Sequence, residues 1–196
     1  MLNRRHFLSS IATSVAGCSY NSPRSLDMQA EIISVVEWGG SPTAQPARPQ
    51  SITKITIHHQ GEVWNPTADA ASYLVRLQQW SRNTKGWIDI PYHYIVGPDG
   101  KVYEARPWGI PGDTNTDYDP RGHVLVMLLG NFEIQYPTTR QLNSTIGLLA
   151  RIKKQFKLNS SNISAHIDYS AQTVFPGLHL YEKIPEIKAA IERTEI

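Results

Sequence analysis

Two histidines lie where two separate strands are expected to end. His58 lies at the end of the alternating, β-branched segment 54–59, and His166 ends a short extended segment that starts at Ile163. Neutral imidazole is the commonest protein ligand of zinc, so two strand ends that converge could place both rings on one metal ion. Spacing alone leaves a second interpretation open, in which both histidines bond to backbone, because no compact H-E-x-x-H motif is present.

The elements that must position these histidines indicate an α/β domain with a mixed central β-sheet flanked by helices. Strand patterns cover 54–59, 92–96 and 101–105, and 124–129 is a continuous apolar run typical of a buried central strand. Helical spacing of apolar residues covers 67–83, about 138–158, and 184–194, and Thr138 with Gln141 offers a capping box. The Pro-, Gly- and Asp-rich segment 107–122 is typical of a loop that borders a site.

The N-terminus has the features of an export signal. Arg4-Arg5 precedes a short apolar run that ends in Val15-Ala-Gly-Cys18, and Cys18 is the single cysteine of the chain. The paired arginines resemble a twin-arginine signal, and the last four residues resemble the site at which bacterial lipoproteins are cut and acylated. We therefore expect an export signal at 1–18, lipidation of Cys18, a polar tether at 19–30 and one domain at 31–196. The protein would be exported and held in the periplasm or cell envelope as a membrane-anchored lipoprotein.

A series of motifs runs through the chain in a fixed order. These are Trp38-Gly39, Ile55-Thr-Ile-His58-His59, Gly86-Trp87-Ile-Asp89-Ile-Pro-Tyr92-His93, Asp99-Gly100, Val102-Tyr-Glu-Ala-Arg106-Pro-Trp108, Leu129-Gly-Asn-Phe132, and His166-Ile-Asp168-Tyr-Ser170 with Pro176-Gly177. Together they resemble the type 2 N-acetylmuramoyl-L-alanine amidases and the peptidoglycan recognition proteins over about residues 32–181. The resemblance implies the fold of that family and peptidoglycan as the partner. The net charge of +2 gives no argument for nucleic acid.

The resemblance also implies roles for individual residues. His58 and His166 match the family's zinc ligands, Tyr92 matches a residue that orients the attack or steadies the oxyanion, and Thr173 matches a position beside the metal. Zinc in such a site activates water for cleavage of the amide between the lactyl group of muramic acid and L-alanine. Walls of the binding groove would include Trp64, His93 and Trp108.

One position departs from the family pattern. The family has Cys or Asp immediately before Pro-Gly as its third zinc ligand, and this chain has Phe175 there. Asp168 and His179 are the nearby residues able to substitute. Two hypotheses follow: a zinc-dependent amidase with a nonstandard third ligand, and a non-catalytic peptidoglycan-binding or regulatory module that has lost that ligand.

Overall fold

The computed structural model describes residues 31–193. The expected export signal, its lipidation site Cys18 and the tether lie outside the described residues, as does the end of the chain from residue 194. Within the described part, the strands are β1 Ile32–Ile33, β2 Lys54–His59, β3 Tyr94–Val96, β4 Val102–Glu104, β5 His123–Leu128 and β6 Ile163–Ala165. The α-helices are α1 Ala70–Asn83, α2 Thr139–Phe156, α3 Leu178–Tyr181 and α4 Ile184–Arg193. Between residues 31 and 193, no helix is long and apolar enough to cross a bilayer.

The six strands form one mixed sheet in the order β1-β4-β3-β5-β2-β6. The β3–β4 hairpin is antiparallel, and the other neighbouring pairs are parallel. The α/β class and the mixed sheet predicted from the sequence are confirmed.

The sheet separates two apolar clusters. On one face, Val124, Val126 and Leu128 of β5 pack with the apolar sides of α2 and α4. On the other face, Met127 packs in a cluster that includes Leu74 of α1. Because both faces are covered, every residue of β5 is buried, as the apolar run predicted.

Element ends differ from the sequence prediction where a side chain forms a cap. Helix α1 begins at Ala70 rather than Thr67, because the Asp69 side chain accepts a hydrogen bond from Ser72 N. Thr138 caps α2 as expected, with its side chain accepting from Gln141 N. The second hydrogen bond of the predicted capping box is wrong, since the Gln141 side chain donates to Val96 O and Leu129 O instead.

Strand register explains why the two histidines meet. Strand β2 lies between β5 and β6 and runs parallel to both, with Ile57 opposite Ala165. His58 is the next residue of β2, and His166 is the residue that follows β6. Both residues therefore lie at the carboxyl edge of the sheet, where ligands of open α/β sheets bind.

Candidate functional site

A cavity of about 240 Å³ opens at this edge of the sheet. Four of the residues singled out from the sequence line it with Phe175: His58, Tyr92, His166 and Thr173. The other lining residues are Trp87, Pro91, Asp113, Thr114, Asn115, Thr116 and Gln172. The structure thus brings together residues that are more than 100 positions apart in the chain.

His58 is almost completely buried in the site, with 2% of its surface exposed. Its ring centroid lies 4.6 Å from that of His166 and 5.1 Å from that of Tyr92. Burial, reinforced by the neighbouring His166, holds the pKa of His58 well below its ordinary value, so the ring is neutral at pH 7. Its Nε2 atom is buried and has no hydrogen-bond partner among the described residues.

His166 is held by the loop between β4 and β5. Its Nε2 lies 2.7 Å from Thr116 Oγ1, and its Nδ1 is buried without a partner in the described part of the chain. Burial lowers the pKa of His166 to about 4. Both histidines are therefore neutral near pH 7, and each keeps one ring nitrogen available to a ligand.

Tyr92 supplies a phenol beside His58. Burial raises the pKa of Tyr92 above its ordinary value, so its hydroxyl stays protonated at neutral pH and can donate a hydrogen bond. This is the protonation state that stabilising a developing oxyanion, or a bound carbonyl, requires.

Phe175 occupies the position at which the family pattern has its third zinc ligand. Its ring is edge-on to His59, with centroids 4.2 Å apart, and 5.9 Å from the ring of His166. Within residues 31–193, no group of three or more His, Cys, Asp or Glu side chains is arranged to hold a metal ion. Catalytic zinc takes three protein ligands, so the two histidines and an aromatic ring do not fit that group.

The two substitutes considered for the third ligand are engaged elsewhere. Asp168 accepts hydrogen bonds from Ala165 N at 2.7 Å and from the Tyr181 hydroxyl at 2.9 Å. His179 stacks on Tyr136, with ring centroids 3.9 Å apart. Neither residue lines the cavity. The structure therefore brings neither of these two possible substitutes to the cavity.

Three residues expected in the groove have structural contacts instead. His93 is 1% exposed, and its two ring nitrogens contact Ile110 O and Leu125 N at 2.9 and 2.8 Å. Trp64 is buried, with 8% of its surface exposed, and its ring stands edge-on to that of Tyr73.

Trp108 packs against Phe156 of α2, with ring centroids 5.1 Å apart, and does not line the cavity. The structure therefore places Trp64, His93 and Trp108 outside the lining of the cavity, and gives no support there to their assignment as substrate contacts. The position of an aromatic residue in a predicted loop does not show whether its side chain is buried in the core.

The loop at 113–118 is part of the segment 107–122 that the sequence predicts to border a site, but the sequence does not predict its contacts. Thr116 contacts His166, the Ser170 hydroxyl donates to Asp117 at 2.5 Å, and Lys85 donates to Asn115 at 2.7 Å. These bonds fasten the loop to segments on both sides of the cavity. No local sequence signal marks Thr116, because its partner lies 50 residues away.

Comparison with known proteins gives a consistent result. A family model described as N-acetylmuramoyl-L-alanine amidase matches residues 48–178, which include every residue that lines the cavity. Peptidoglycan recognition protein 1 of Mus musculus is 29% identical over 85% of this chain and 87% of its own length. Peptidoglycan-recognition protein SA of Drosophila melanogaster is 31% identical over 76% of this chain and 74% of its own length. The solved structure of Drosophila peptidoglycan recognition protein SD has a TM-score of 0.69 at 27% identity and covers 81% of this chain and 95% of that chain.

Proposed function

The chain belongs to the N-acetylmuramoyl-L-alanine amidase family, and from this membership we propose that it is a peptidoglycan-binding protein. Its ligand would be the muramyl-peptide part of the polymer, held in the cavity at His58 and His166. Relatives of the chain are named for peptidoglycan recognition, and one similar solved structure is that of tracheal cytotoxin bound to the ectodomain complex of peptidoglycan recognition proteins LCa and LCx.

The observation that carries the proposal is the pair of buried ring nitrogens on His58 and His166 that have no hydrogen-bond partner in the described part of the chain. Leaving a buried polar atom without a hydrogen bond costs about 1–3 kcal/mol, so such atoms are normally satisfied by a ligand or by water. A stem peptide offers carbonyl oxygens and amide N–H groups in close succession. The neutral histidine rings and the protonated Tyr92 hydroxyl can form hydrogen bonds with both the carbonyl oxygens and the amide N–H groups.

The same two nitrogens favour a second candidate function, the amidase activity itself. His58, His166 and Tyr92 are the residues that the family pattern gives to zinc and to the developing oxyanion, and Thr173 lies at the same cavity. Phe175 is the obstacle, because an aromatic ring has no lone pair to give a metal. Peptidoglycan recognition without zinc-dependent cleavage is therefore the function that we place first.

Binding is tested by sedimentation of the full chain with insoluble peptidoglycan. His166→Ala removes one of the two nitrogens and is expected to weaken retention by about fivefold or more, the effect of losing one ligand hydrogen bond. Tyr136→Ala is the matched control, because Tyr136 is 73% exposed and lies outside the cavity. Retention of His166→Ala equal to that of the control would remove the cavity from the binding site.

Zinc content separates the two candidates. After growth with added zinc, Phe175→Cys is expected to hold about one zinc per chain, because it restores a third donor beside the histidine pair. The natural chain and His166→Ala should hold far less. If the natural chain holds about one zinc and releases stem peptides from peptidoglycan, the amidase becomes the function and the binding proposal is replaced.

The location of the protein is proposed from the first 18 residues. We propose export with lipid attachment at Cys18, so that the domain reaches peptidoglycan on a tether of about 12 residues. Cys18→Ser is expected to move the protein from the membrane fraction to the soluble fraction of cells. Continued sedimentation with membranes after this substitution would contradict a lipid anchor.

A further inference from the structure

Phe175 is fixed by the backbone that surrounds it. Ile167 N donates to Phe175 O at 2.8 Å, and Phe175 N donates to Thr173 Oγ1 at 3.1 Å. The first bond ties the segment of Phe175 back to the residue that follows His166. The ring therefore has a defined place beside the histidine pair.

The ring is also held by close packing. It stands edge-on to His59 at 4.2 Å, and Gly61 lies against its tip. A Cβ atom on Gly61 would come within 2.9 Å of Phe175 Cζ, so the approach requires glycine, which also has φ +86° here. One part of the ring is thus packed on protein, while the residue remains half-buried and lines the cavity.

The cavity is consequently lined by an apolar ring and by two histidines that each have a buried ring nitrogen without a hydrogen-bond partner among residues 31–193. His58 Nε2 and His166 Nδ1 can take part in hydrogen bonds, and the Phe175 ring offers no hydrogen-bonding group. A ligand that fits both features carries an amide next to a small alkyl group. The junction between the lactyl group and L-alanine has that chemistry, with a methyl group on each side of one amide.

We propose that Phe175 is a specificity-determining residue, packing against the alanine methyl group of the bound muramyl peptide while the histidine nitrogens meet the adjacent amide. The proposal rests on the peptidoglycan-binding function and deepens it. In place of a metal ligand, the chain has an apolar contact that favours the intact junction. Binding of the peptide in this way makes and breaks no covalent bond.

The test compares two probes by calorimetry on the full chain. One is N-acetylmuramyl-L-alanyl-D-isoglutamine, and the other has glycine in place of L-alanine. The natural chain is expected to bind the alanine probe about fourfold more tightly, which is the value for one buried methyl group. Phe175→Ala and Phe175→Gln should lose this preference, and Phe175→Leu should keep most of it because its side chain stays apolar.

Each result is a ratio of two affinities measured on the same variant, so a partly unfolded sample lowers both affinities and leaves the ratio interpretable. Tyr136→Ala is again the control and should keep the fourfold preference. Equal binding of the two probes by the natural chain, or an unchanged preference in Phe175→Gln, overturns the proposal. Retention on insoluble peptidoglycan without measurable binding of either probe also overturns it, yet leaves the peptidoglycan-binding function standing. Loss of both retention and probe binding overturns the two together.

Discussion

At the scale of single residues, Arg106 connects the two walls of the cavity. Its guanidinium group donates to Asp89 O at 2.7 Å, to Ile90 O at 2.9 Å and to Pro111 O at 2.5 Å, and it pairs with the Asp113 carboxylate. The Arg106 side chain is 1% exposed. One planar group with five N–H donors therefore holds the segment before Tyr92 against the loop that begins at Asp113.

We expect Arg106→Lys to lower the free energy of unfolding by about 2 kcal/mol or more, measured by urea unfolding. A single ammonium group cannot reach all four acceptors, and buried carbonyls left without donors are costly. Arg121→Lys is the matched control, because the Arg121–Asp119 pair is exposed at the surface, where an ion pair adds little to stability. Equal destabilisation by the two substitutions would contradict this role for Arg106.

Site residues were predicted well where their chemical type and motif mark them, and poorly where core packing determines whether a side chain is buried. His58, Tyr92, His166 and Thr173 were predicted from type and motif, and the structure brings all four to one cavity. Which aromatic or histidine faces solvent depends on packing partners far away in the chain. The burial of His93 against Ile110 and Leu125 is an example that no local pattern could reveal.

At the scale of elements, apolar periodicity predicted the helices and strands, and side-chain contacts changed their details. In the predicted helix 67–83, the apolar spacing alone does not decide whether Gln78 or Trp80 takes the buried position. Gln78 is the buried one, because its amide donates to Asp89 Oδ1 and Ser41 O, whereas Trp80 is 44% exposed. A polar residue on the buried face becomes predictable only when its partners are known.

The sequence predicted that a strand exists more reliably than it predicted where the strand ends or which strands it pairs with. The run at 124–129 predicted a buried central strand, and β5 is fully buried one residue earlier, at His123–Leu128. Strand pairing could not be read from the sequence, yet the parallel pairing of β2 with β6 is what brings His58 to His166. The site therefore depends on a sheet order that local patterns do not encode.

At the scale of the whole molecule, the buried histidines make stability depend on pH. Burial lowers the pKa of His59, His93, His123 and His166 to about 4, and holds that of His58 well below its ordinary value. An unfolded histidine has a pKa of about 6.5, so between about pH 6.5 and about pH 4 the unfolded chain binds protons that the folded chain does not. The stability held above pH 6.5 is therefore lost progressively as the pH falls toward 4.

Thermal unfolding between pH 7.5 and pH 5.0 tests this expectation, since carboxylates with ordinary pKa values remain largely ionised in that range. We expect the midpoint to fall steadily below about pH 6.5, because each such histidine lowers the free energy of unfolding by at most about 1.4 kcal/mol per pH unit. His123→Gln removes one of these groups and should make the decline shallower. A midpoint that stays constant or rises on acidification would mean that the histidines take up protons in the folded state. The assignment of a neutral ring to each of these buried histidines at pH 5 to 6 would then be wrong.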